Sequence, residues 1–142
     1  MKTSGTRDAI YWASLESWAK AEEESRHRAD VRELSNNELI DAYMEFAMGD
    51  CSYDDEAYYR NMEIYCMSEM KRRGFDFTWL EEHNRHERER QKVLNKASGH
   101  WENRRFVIDD KALADEFCEL ERLADEAISS WKIAVMEDSM YE

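Results

Sequence analysis

An all-α fold is what this sequence predicts: a single-domain bundle of about five helices over residues 1–142, with a short irregular segment near residues 99–108. Three observations carry that expectation. The chain has no proline and only four glycines, so helices are seldom interrupted and tight turns are scarce. Apolar residues recur at three- and four-residue steps in several stretches. Hydrophobic residues make up 42% of 142, enough to build a core in a chain of ordinary one-domain length.

The first helix is predicted over about Thr6 to Arg32. Ile10, Ala13, Ser14, Ser17, Trp18 and Ala21 share one side of it, with Trp12 and Leu15 beside them. Its later part, Glu22 to Asp30, is nearly all charged. The second helix has a clear start. Ser35-Asn36-Asn37-Glu38 spells a capping box, in which the serine takes an orphan N–H and the glutamate reaches back. Leu34 and Leu39 are placed for a hydrophobic staple. Gly49 is expected to end the helix in a left-handed C′ conformation.

The third helix should begin near Ser52 to Asp54. Asp54, Asp55 and Glu56 suit the positive end of the helix dipole, and Lys71, Arg72 and Arg73 suit the other end before Gly74. Tyr59, Met62, Cys66 and Met70 form its apolar stripe. Phe75, Phe77 and Trp79 then return the chain to the core. Thr78-Trp79-Leu80-Glu81 spells a second capping box. Between Leu80 and Val93 no apolar residue occurs, so this helix is expected to be polar all round, bridging solvent or serving a partner. His83 and His86 are expected to be solvated.

Ser98-Gly99 breaks that helix. His100 to Ile108 is expected to be irregular or a short extended piece. Asp109 is the expected N-cap of the last helix. There Leu113, Phe117, Leu120, Ala124, Ala127, Trp131 and Ala134 alternate steps of four and three, so it should be the central packing helix. Such a seam also suits a homodimer.

Composition narrows the function. There is no run of about 18 apolar residues, so no membrane span is expected. The polar start argues against a secretory signal. Three widely spaced cysteines, Cys51, Cys66 and Cys118, read as reduced thiols in a cytoplasmic protein. The net charge of −13 disfavours general binding to nucleic acid or anionic membrane.

Known chemical signatures are missing. His83 and His86 with Cys51 and Cys66 have the wrong spacing for structural zinc. One Glu24-x-x-His27 falls short of a di-iron bundle, which needs two such motifs. Residues 50–61 lack the glycine and final glutamate of a calcium loop. No acyl-transfer or phosphate-binding motif occurs. Neither a catalytic residue, a metal nor a cofactor is therefore expected, and an enzyme is not.

Charge is unevenly distributed. Residues 35–70 hold nine acids and one cation, residues 71–106 ten cations and six acids, and residues 107–142 eleven acids and three cations. This layout supports a protein-interaction module that meets a partner with a basic surface through steering by charge. Its acidic face would comprise Glu38, Asp41, Glu45, Asp54, Asp55, Glu56, Glu116 and Glu119, imitating a phosphate array. Trp12, Tyr53 and Tyr58 would be aromatic anchors. Met44, Met48, Met62, Met67 and Met70 would add an adaptable apolar surface. The alternatives are a small nucleic-acid-binding regulator that uses Arg85, Arg88, Arg90 and Lys92 on the Arg-rich helix 78–97, and a self-assembling structural subunit.

The stretch Met67 to Phe77, with SEMKRRGFDF at its core, resembles a helix-end segment of phage pyrimidine-dimer DNA glycosylases. It matches no catalytic motif, and those enzymes are basic, so no residue role is implied. In composition the chain resembles phage-encoded proteins that disable host machinery. That resemblance implies an inhibitor of a nucleic-acid-associated protein, acting in host takeover.

Overall fold

The computed structural model describes residues 2–49 and 51–140, with the side chains of residues 2–8, Tyr53 and 138–140 left aside. The chain is all-α apart from one small hairpin. Its elements are α1 (Lys2–Arg32), α2 (Asn36–Met48), a 3-10 turn (Tyr53–Asp55), α3 (Glu56–Arg73), α4 (Thr78–Lys96), β1 (Gly99–Glu102), β2 (Arg105–Ile108) and α5 (Lys111–Met140). They form two compact units, residues 1–74 and 75–142. No helix among the described residues is long and apolar enough to cross a membrane.

In the first unit α2 starts as its sequence dictates. The Ser35 hydroxyl accepts the Glu38 N–H at 3.2 Å, and the Glu38 carboxylate accepts the Ser35 N–H at 2.9 Å. Its end differs from expectation. Gly49 is extended, at φ −71°, not left-handed. Space explains the glycine there, because a Cβ would fall 2.3 Å from the Glu45 carbonyl oxygen. Gly74 does adopt the left-handed conformation, at φ 78°. Val31, Leu39, Ile40, Tyr43, Met62, Cys66 and Met70 form the core.

A buried acid ties the three helices of this unit together. Glu69 on α3 is only 5% exposed and hydrogen-bonds both Arg72 and Arg73. Arg73 then donates to the Asn36 side chain at 2.9 Å and to the Leu34 and Arg32 carbonyls at 2.8 and 3.1 Å. One guanidinium thereby satisfies carbonyls left open where α1 ends, a role suited to its forked donors. Arg28 of α1 stacks over the Tyr65 ring at 4.6 Å.

The second unit is a helical hairpin with a β-hairpin between its arms. Phe77 meets Trp131, His83 meets Ala124, and Arg90 lies over Phe117. The pairs advance in opposite directions along the chain, so α4 and α5 run antiparallel. The expected α5 stripe is the core here: Leu120, Ala124, Ala127, Trp131 and Val135 are buried. Phe75 and Phe77 pack on Trp131, while Trp79 stays exposed.

Several local expectations are corrected. Helix α4 is not polar all round, since Leu80, His83 and Val93 are buried on its α5 side. His83 is 4% exposed and not solvated. His86 is half-buried, beside Glu82. The second capping box does not form. Thr78 is already helical, and the Asp76 carboxylate caps instead, accepting the Thr78 N–H at 3.0 Å and its hydroxyl at 2.7 Å. Asp76 sits two residues nearer the preceding turn, where an Asx-type bond is within reach. On α5, Asp110 is the cap and accepts the Leu113 N–H at 3.1 Å. Asp109 pairs with His100 instead, at 2.8 Å.

The segment 99–108 is an antiparallel two-stranded hairpin, not an irregular connection. Gly99 pairs with Ile108 and Glu102 with Arg105. Asn103 and Arg104 turn the chain with positive φ of 51° and 66°, the geometry of a type I′ turn that matches strand twist. Trp101 and Phe106 meet across the strands at 5.7 Å.

Candidate functional site

The strongest candidate for an acidic recognition surface lies in the first unit. From Glu33 to Tyr59 the sequence contains eight acids and not one lysine or arginine. The fold gathers part of this stretch. Glu45 comes from α2 and Asp55 from the turn before α3. Both act on the Tyr59 hydroxyl, whose pKa is held above its usual value first by desolvation and then by the charges of Glu45, Cys51 and Asp55. Glu45 and Asp55, ten residues apart in sequence, thus both bear on the phenol, beside the contact of the neighbouring Phe46 ring with Tyr59 at 5.2 Å. Glu45, Asp54, Asp55 and Glu56 are all exposed, and so is Asp41 farther back on α2.

Arg60 approaches Glu56 at 3.4 Å along α3. Asp55 accepts the Ser52 hydroxyl at 2.9 Å, which orders the turn without neutralising it. Glu38 is engaged in the capping box, and the Ser35 backbone and side-chain hydrogen bonds lower its pKa.

Glu116 and Glu119, the other expected members of the acidic face, stand exposed on α5 in the second unit. Glu119 is bridged to Arg122, which also holds Glu126 at 2.7 Å. Those bridges lower the Glu119 pKa, chiefly through the Arg122 hydrogen bond. Glu119 and Glu126 on α5 are thus matched locally by Arg122, as Glu56 in the first unit is by Arg60.

The expected anchors divide. Trp12 is 63% exposed on α1, with its ring edge-on to Tyr11 at 5.8 Å. Tyr58 is exposed, yet its ring packs against His27, Phe46 and Tyr59. It holds α1, α2 and α3 together as much as it faces outward. The Tyr53 side chain lies outside the described residues. Of the methionines, Met62 and Met70 belong to the core and Met48 is exposed.

The Arg-rich helix is largely committed to its own carboxylates. Arg85 bonds Glu82 at 2.6 Å, and Arg90 bonds Glu87 at 2.7 Å while covering the Phe117 ring. Arg88 and Lys92 are exposed.

Two further features were not expected from sequence. An apolar groove of about 550 Å³ lies beside the hairpin, lined by Leu94, Phe106, Val107, Ile108, Phe117 and Cys118 among others. The second feature is the exposure of α1 from residue 9 to residue 26. Ile10, Tyr11, Trp12, Leu15 and Trp18 all face solvent there. Trp12 is expected from sequence as an anchor, but the exposure of Ile10, Leu15 and Trp18 beside it is not, since they share the apolar side of a helix.

Among the described residues, no three His, Cys, Asp or Glu side chains come together as a metal site. No family model, curated protein or solved structure matches this chain.

Proposed function

We propose that this chain is an acidic protein-interaction module whose recognition surface is the end of the first unit around Tyr59. One observation carries the proposal. Glu45 of α2 and Asp55 of the turn before α3 both bear on Tyr59, beside the Phe46–Tyr59 ring contact at 5.2 Å, where the sequence runs for 27 residues, Glu33 to Tyr59, without a lysine or arginine. Such a patch projects a field that steers a basic partner and fixes its orientation. Nucleic-acid-binding proteins are basic because they neutralise phosphates. An inhibitor or modulator of such a protein, acting by occupying its phosphate-binding surface, is the proposed role.

Direct nucleic-acid binding through α4 is the weaker reading. Arg85 and Arg90 already hold Glu82 and Glu87, and a phosphate would have to displace those carboxylates.

The test is capture from a cell lysate at low and high salt, with the wild-type chain and with Asp54→Lys, Asp55→Lys, Glu56→Lys together. A basic protein retained at low salt by the wild type and lost by the triple variant supports the proposal. Equal retention by both overturns the assignment of this surface. A low-salt shift of labelled DNA or RNA, lost on replacing Arg85, Arg88 and Arg90, favours the α4 reading instead.

A further inference from the structure

We infer that the exposed face of α1 is a self-association surface, covered in solution by a second copy of this chain lying antiparallel to it. The inference concerns a different part of the first unit from the acidic end and does not depend on it.

The helix itself sets the problem. From residue 9 to residue 26 every residue of α1 is exposed, Leu15 least among its large apolar residues at 37%. Helices in water derive most of their stability from packing an apolar face. This one has such a face and leaves it open. At 100° per residue, Tyr11, Leu15 and Trp18 fall within a narrow stripe, and Ile10 and Trp12 flank it on either side. Tyr11, Trp12 and Trp18 are 60, 63 and 65% exposed. Glu16 and Lys20, the only charged residues between Ala9 and Ala21, fall on the opposite side of the wheel.

Area and charge select the occupant. The three rings expose roughly 400 Å² per copy, and Ile10 and Leu15 bring this to about 500 Å². Two copies together would bury about 1,000 Å², the lower bound for a specific interface. The patch is also locally neutral, although the chain as a whole carries −13. A like-charged copy therefore meets no repulsion at the contact itself.

Orientation follows from Glu22, Glu23 and Glu24. In a parallel pair these runs would lie side by side and repel. In an antiparallel pair centred on Leu15, each run sits about 12 Å from the centre, so the two are about 24 Å apart, well beyond the screening length of about 8–10 Å. The same register sets Leu15 against Leu15, Trp18 against Trp12 of the other copy, and Tyr11 against Ala19. Large residues then oppose small ones at the edges and rings oppose rings next to the centre. Two-fold pairing of one patch with itself is closed, so it yields dimers and not filaments.

Sedimentation equilibrium tests this. At about 100 µM the chain should approach twice its 17.0 kDa mass, and it should dissociate on roughly 100-fold dilution, as expected of an interface this small. Leu15→Asp should remain at 17.0 kDa throughout. Register is read in a background of Cys51→Ser and Cys118→Ser. There Leu15→Cys should join two copies through a short bis-maleimide crosslinker, and Glu22→Cys should not. A wild-type mass of 17.0 kDa at every concentration overturns the inference. Crosslinking through Glu22→Cys as readily as through Leu15→Cys overturns the antiparallel register. Charge reversal at Asp54, Asp55 and Glu56 should leave the dimer intact, which separates this result from the partner-binding test.

Discussion

His83 Nδ1 lies 2.9 Å from the carbonyl oxygen of Ala124, a buried hydrogen bond that fastens α4 to α5 at the middle of the second unit. The helix carrying His83 has only polar residues from Glu81 to Lys92, so this contact is what makes its inner face specific. Replacement by leucine keeps comparable volume but abandons the carbonyl. His83→Leu should cost about 1–2 kcal/mol and lower the melting temperature by several degrees. Thermal unfolding followed by circular dichroism checks this; an unchanged midpoint would mean that the contact contributes nothing net.

Glu69 should make the first unit sensitive to acid. Its carboxyl is held below the ordinary carboxylate range, chiefly by the Arg72 hydrogen bonds and further by Arg73. A group whose pKa falls on folding stabilises the fold above its unfolded value, and that contribution is lost as pH drops through the folded value. Glu69→Ala should cost about 2 kcal/mol near neutral pH, because Arg72 and the half-buried Arg73 lose the carboxylate they share, while Arg73 keeps its Asn36 and carbonyl partners. The wild-type and variant stabilities should converge as the pH falls below about 4. Denaturant unfolding at a series of pH values measures the gap.

Thiol reactivity should separate the three cysteines. Cys66 is buried, and burial raises its thiol pKa to about 11. Cys51 and Cys118 are exposed. Since the thiolate is the nucleophile, iodoacetamide at about pH 8 should modify Cys51 and Cys118 in the native protein and leave Cys66 intact until denaturant is added. Peptide mass spectrometry identifies the sites. Native labelling of Cys66 would contradict the packing of α3.

The β-hairpin turn can be improved. Arg104 holds φ at 66° without being glycine, a conformation that costs an ordinary residue about 1 kcal/mol. The second position of a type I′ turn favours glycine. Arg104→Gly should therefore stabilise the hairpin by roughly 0.5–1 kcal/mol, read as slower amide exchange at His100 and Val107, a pair whose N–H groups face across the ladder.

The parts of this fold that were legible in sequence are those where one residue type has one physical outcome. Ser35 and Glu38 cap α2 because no other arrangement satisfies those N–H groups as well. The stripe from Leu120 to Trp131 is buried because its period matches a helix. Gly74 takes the left-handed conformation because α3 ends there. The parts that were not legible involve polar residues doing the packing. His83 is buried through a hydrogen bond that hydrophobic periodicity does not register, and Glu69 is buried through two arginines. Asn103-Arg104 lacks the glycine that marks a two-residue turn, so the hairpin looked irregular. Asp76 displaced Thr78 as a cap by sitting two residues earlier. At the candidate site, the acids of α2 and of the turn before α3 were visible in the sequence, but their convergence on Tyr59 is tertiary. The openness of α1 was not legible for the opposite reason: Ile10 and Trp18 share one side of the helix with Ala13 and Ala21, as core residues would, and their exposure is a tertiary property.

Whether acid is concentrated at the end of the first unit, and not merely abundant, is tested most directly by anion-exchange retention of two charge-matched variants. One carries Asp54→Lys, Asp55→Lys and Glu56→Lys; the other carries Asp115→Lys, Glu116→Lys and Glu121→Lys on α5. Net charge is the same in both, so only the location differs. An organised acidic end predicts that the first variant elutes at distinctly lower salt than the second. Coincident elution would show that charge is spread evenly over the surface, and would contradict the recognition role given to Asp54, Asp55 and Glu56.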